Sequence, residues 1–125
     1  MSGHIWAFVA AGCVGTFVAI FHGLVTQKWM IKPILKEVTL PDSTRNLIPL
    51  LLHFSTICWF FGGIALIITP FWLSPPAMLT TAVFVGAFYT VGAVGNFWGT
   101  KGRHPGWMML AVAVGLIGYA SAPMI

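Results

Sequence analysis

Residues 47–71 read LIPLLLHFSTICWFFGGIALIITPF, a stretch that no Asp, Glu, Lys or Arg interrupts. Crossing the roughly 30 Å of bilayer hydrocarbon takes about 20 predominantly apolar residues as an α-helix. Only helices and closed barrels satisfy every backbone N–H and C=O in lipid, so this stretch reads as a transmembrane helix. Three more runs fall in the same range of length: Ile5–Gln27 before it, and Ala77–Trp98 and Pro105–Ser121 after it. The prediction is an all-α fold, an integral membrane four-helix bundle forming one domain over residues 1–125.

Composition agrees with that reading. Charged residues make up 6% of the 125 and hydrophobic residues 58%, whereas a soluble domain is about a quarter charged. So few charges cannot cover a surface that faces water. The punctuation between the runs is also suitable. Pro41 and Asp42 precede the second run, and Pro49 is expected in or near its first turn, where a missing N–H is tolerated. Ser74-Pro75-Pro76 makes a tight turn, and Lys101-Gly102-Arg103-His104-Pro105 leads into the fourth run with Pro105 as its first helical residue. Ala10-Ala11-Gly12-Cys13 has the small residues of a lipoprotein cleavage site. No Lys or Arg precedes it and the apolar run continues past Cys13, so a retained helix is expected.

The net charge of +4 comes from Lys28, Lys32, Lys36, Arg45, Lys101 and Arg103. All six fall in the first and third loops, which is the pattern of cytoplasmic loops facing anionic headgroups rather than of a nucleic-acid surface. The expectation is a multi-pass protein of the bacterial inner membrane with both termini on the non-cytoplasmic side. Lys28, Lys32 and Lys36 recur at i, i+4 and i+8 and so share one helical face. With Trp29, Met30, Ile31, Ile34 and Leu35 between them, they read as an interfacial segment on the headgroups, bent or broken near Pro33. A docking surface for a partner is the sharper alternative.

Trp6 and Trp72 fit an outer interfacial belt and Trp29, Trp98 and Trp107 an inner one, while Trp59 falls near mid-helix. Ala11, Gly15, Ala19 and Gly23 recur every fourth residue in the first run. Ala82, Gly86 and Thr90 do so in the third, and Ala111 and Gly115 in the fourth. Such stripes let helix backbones approach closely in lipid, within the bundle or against other chains.

Chemistry concentrates at one depth. The first helix runs inward and the second outward, so His22 and His53 both lie roughly 7–10 Å inside the cytoplasmic boundary at 1.5 Å per residue. Asn96 near the inner end of the third helix and His104 at the start of the fourth join them, with Ser55 and Thr56. Trp59 stands one turn deeper than Ser55. Ionisable groups inside a membrane are costly and are functional candidates, although a His–Asn or His–Ser hydrogen bond is also ordinary interhelical glue. Four readings use the layer, whose candidate ligand-binding residues are His22, His53, Ser55, Trp59, Asn96 and His104: a metal held by His22, His53 and His104, a haem on an axial histidine, a quinone-like ligand, or a proton relay. Neighbouring helices sit roughly 8–10 Å apart, which is tight for a macrocycle between facing imidazoles.

Absences narrow the field. Neither cysteine, Cys13 or Cys58, belongs to a CxxC pair, and both read as small buried hydrophobes. No acidic residue lies in a span, since Glu37 and Asp42 are both in the first loop. That disfavours a proton-coupled small multidrug exchanger and a carboxylate-bridged di-iron site. The one-sided charge disfavours a dual-topology dimer. No Ser/His/Asp set, phosphate loop or HExxH is present.

Phe21-His22-Gly23, His53-x-Ser55-x-x-x-Trp59 and Arg103-His104-Pro105-Gly106-Trp107 occur together. In these the chain resembles a loose group of small bacterial four-helix membrane proteins with histidines in the same places. The resemblance implies the fold and points to the same three histidines, but it implies no activity. Two functions are compatible with the residues. The leading one is a non-enzymatic subunit packing with other membrane chains or with copies of itself in a larger complex, favoured by small size and the small-residue stripes. The other is a haem-, metal- or quinone-like ligand-binding redox protein using the histidine layer.

Overall fold

A computed structural model of the protein describes residues 2–37 and 39–125, which form helices and short connections without strands. The elements are α1 (Ser2–Thr26), a π-helical stretch (Gln27–Ile31), α2 (Lys32–Glu37), α3 (Asp42–Trp72), α4 (Pro75–Thr100), α5 (Gly106–Ser121) and a terminal 3₁₀ turn (Ala122–Met124). Four helical segments are long and apolar enough to cross a membrane. The fold is an all-α four-helix bundle, and its multi-pass character rests on those four lengths.

Two segments exceed what hydropathy alone marks. Helix α3 begins at Asp42, so Pro49 stands inside it rather than in its first turn. The start is set by Pro41, whose ψ of 147° is extended and whose carbonyl accepts from Arg45 N–H at 2.9 Å. The basic segment after α1 is not a separate element, because Gly3–Lys36 forms one helical stretch of 34 residues. Pro33 would press its ring on the carbonyl four residues back in a regular helix. Instead the turn ahead of it widens, and Lys32 N–H reaches Gln27 O, five residues back. At 1.5 Å per residue the stretch is about 50 Å long and α3 about 46 Å, both beyond the roughly 30 Å of hydrocarbon. Their basic ends are tied where Arg45 Nη1 donates to Leu35 O at 3.2 Å.

The other joints reflect the turn residues. Ser74 is extended, α4 starts at Pro75, and Met78 N–H returns to Ser74 O at 2.8 Å. At the far end of α4, Lys101 is left-handed (φ 51°) and Gly102 N–H reaches back to Phe97 O at 2.8 Å, closing the helix.

The four long helices form a ring in chain order, with α1 packed on α3 and α5, and α4 on α5 and α3. The α3–α4 seam is the thinnest of the four. Phe8, Ala11, Val18 and Ala19 of α1, Leu66 of α3, Tyr89 of α4 and Leu110 and Ala113 of α5 form the core. On α1 the small-residue stripe faces inward. Gly12 crosses Gly63 of α3 so closely that a Cβ on either would meet the other's carbonyl. Gly15 leaves the space that the Tyr89 ring occupies, and Tyr89 Oη donates to Trp59 O at 3.0 Å. Ala111 and Gly115 of α5 instead face outward.

Candidate functional site

The α3–α4 seam opens into a groove of about 350 Å³ with His22 of α1 among its lining residues. Its polar groups are His22, Ser55 and Asn96, and its walls include Phe54, Trp59 and Phe88. Three helices build it. Gly92 of α4 leaves room for the indole of Trp59, which is 5% exposed and would collide with any Cβ there. Trp59 in turn backs the His22 ring, with ring centroids 4.6 Å apart.

Hydrogen bonding orients the histidine. His22 Nε2 lies 3.3 Å from Thr26 Oγ1, one turn along α1, and 3.3 Å from Ser55 Oγ across on α3. A hydroxyl both donates and accepts, so this pair suits either tautomer of the ring. Nε2 is thereby engaged, and among the described residues Nδ1 has no hydrogen-bond partner. Nδ1 is a donor in one tautomer and an acceptor in the other. Asn96 Nδ2 donates to Gly92 O at 2.9 Å, which fixes the amide because a carbonyl only accepts. Its Oδ1 has no partner among the described residues. His22 and Asn96, each with one side-chain polar atom unpartnered among the described residues, thus line a groove of largely apolar walls.

The other two histidines are occupied elsewhere. His53 Nε2 pairs with Gln27 Oε1 at 3.0 Å, tying α3 to the π-helical stretch. His104 Nδ1 accepts from Gly106 N–H at 3.1 Å and so caps the first turn of α5, with its ring 5.7 Å from that of Phe21. His22, His53 and His104 thus make their hydrogen bonds to different partners. Among the described residues no three His, Cys, Asp or Glu are grouped to hold a metal ion, these histidines included.

Lys28, Lys32 and Lys36 are all exposed, as are Trp29 and Met30, while Ile31 beside them is 1% exposed. Of the tryptophans assigned to belts, Trp6, Trp72, Trp29 and Trp98 are exposed, and Trp107 Nε1 donates to Gly102 O at 3.1 Å.

Thr26, Gln27 and Gly92 escape the sequence reading. Thr26 is detectable in principle, since a hydroxyl at i+4 from an intramembrane histidine lies on the same face. Gly92 carries no such mark. Compared with known proteins, the chain matches no family model, no curated sequence and no solved structure.

Proposed function

We propose that the protein binds a lipid-soluble small molecule of the quinone class in the α3–α4 groove, with its head group on His22 Nδ1 and Asn96 Oδ1. The observation that carries this reading is the half-used histidine: one ring nitrogen held by two hydroxyls, the other without a partner among the described residues, in a side chain that lines an apolar groove. Because the hydroxyls accommodate both tautomers, Nδ1 can donate to a carbonyl or accept from a hydroxyl, the two forms a quinone ring presents. A groove of about 350 Å³ is at the low end of ligand sites, which run roughly 300–1,000 Å³. It suits a single ring better than a haem macrocycle. The site lies toward the basic loops, which we place on the cytoplasmic side of a bacterial inner membrane.

Titration of the protein in nanodiscs with a short-tailed quinone tests the proposal. Saturable one-to-one binding is expected, weakened at least tenfold by His22→Ala and by Asn96→Ala and unchanged by His53→Ala. Absence of saturable binding to the wild type would overturn it.

A second reading, a subunit packed against other membrane chains, is favoured by four glycines. A Cβ on Gly95, Gly99, Gly115 or Gly118 would meet nothing within 4 Å, so α4 and α5 keep close-approach positions that the bundle does not use. Gly99→Leu with Gly115→Leu should then release a co-purifying membrane chain while the monomer still folds. Retention of such a chain in the double variant would contradict this reading.

A further inference from the structure

A second cavity, of about 680 Å³, lies at the end of the bundle opposite the basic loops. We infer that it is a soft-metal site for a monovalent ion of the Cu(I) class, with His4 Nε2 and the thioethers of Met78 and Met124 as ligands. The inference is independent of the α3–α4 groove.

The histidine carries the strongest evidence. His4 Nδ1 lies 3.0 Å from Tyr119 O, and its ring stacks on that of Tyr119 with centroids 4.7 Å apart and planes at 18°. A carbonyl oxygen only accepts, so Nδ1 carries the proton and Nε2 presents a lone pair. Fixing tautomer and ring plane through a backbone carbonyl is how metal-binding histidines are held from behind.

The two methionines supply the rest. His4 stands in the first turn of α1, Met78 in the first turn of α4 and Met124 in the terminal 3₁₀ turn, and all three line the same cavity. Thioether sulfur is soft and selects Cu(I) over hard or borderline ions. No carboxylate is among the described residues that line the cavity, so this donor set is uncharged and suits a single positive charge better than a double one. Methionine often serves only to fill gaps. Met78 and Met124 do pack in part against the core, and both also border the open space of the cavity. Three rotatable bonds give each thioether the reach to close on an ion.

The test uses the full chain in a Cys13→Ser/Cys58→Ser background, because free thiols bind the same ions. Silver(I), a redox-inert stand-in, is titrated in chloride-free detergent buffer and counted by native mass spectrometry. One ion per chain is expected, not displaced by zinc(II). Met78→Leu and Met124→Leu, which keep apolar bulk, should each weaken binding at least tenfold. His4→Phe, which keeps a ring against Tyr119, should weaken it likewise. Absorption at the copper edge of the Cu(I)-loaded background chain should show sulfur neighbours, a readout that needs no further variant. No silver binding, equal binding by the double Met→Leu variant, displacement by zinc(II), or a copper shell of nitrogen and oxygen alone would each overturn the inference.

Discussion

Two residues show how local geometry sets stability here. Lys101 closes α4 in the left-handed conformation, where a Cβ meets the following carbonyl at a cost of about 1–2 kcal/mol. Lys101→Gly removes that contact and should raise unfolding stability by about 1 kcal/mol, read from the thermal midpoint in detergent. Gly15→Ala acts in the opposite sense, because the new methyl would overlap the Tyr89 ring. Overpacking of this kind costs roughly 1–3 kcal/mol, while Gly115→Ala, which meets nothing within 4 Å, should raise the midpoint slightly, because a helical glycine costs about 0.5–1 kcal/mol relative to alanine. Equal effects at positions 15 and 115 would contradict the assignment of inner and outer faces. The same contrast marks where the sequence becomes unreadable. In water, polarity separates a helix's inner face from its outer one. In lipid both faces are apolar, so hydropathy reveals the depth of His22, His53 and His104 but not their rotation. The stripe at Ala11, Gly15 and Ala19 points inward, and an equally regular pair at Ala111 and Gly115 points outward.

At the scale of the element, the π-helical stretch is the feature least visible in the sequence. The presence of Pro33 is legible, and so is some local distortion. That the chain absorbs the proline by widening one turn, rather than by breaking, depends on neighbours: Ile31 is buried and Gln27 is held by His53. Pro33→Ala removes the clash that keeps the turn wide. The stretch should rewind to regular helix, moving α2 by about 1.5 Å along the axis and roughly 100° around it. Spin labels at the exposed positions Ile20 and Lys36 would register the change. An unaltered distance would assign the wide turn to the packing of Ile31 instead. The His53–Gln27 contact opens this stretch, so His53→Ala should loosen the basic end, measurable as faster amide exchange in residues 27–31, without touching the groove at His22.

At the scale of the whole molecule, the number of spans and their sequence along the chain arise from apolar runs joined by short connections and are legible, whereas the extra turns of α1–α2 and α3 beyond those runs are not. The orientation proposed for the bundle rests on charge alone. In the Cys13→Ser/Cys58→Ser background, an impermeant thiol reagent applied to intact cells should label Ser74→Cys and spare Ser43→Cys, both exposed positions. Labelling of Ser43→Cys under those conditions would invert the topology. The thin α3–α4 seam also bears on how the ligand we propose would arrive. Its groove is flanked by the exposed apolar Phe54, Phe88 and Val91, so entry is expected from the surrounding lipid, by diffusion in two dimensions. Occupancy then tracks the mole fraction of solute in the surrounding lipid. Adding buffer at fixed lipid leaves it unchanged, and adding empty lipid at fixed volume lowers it.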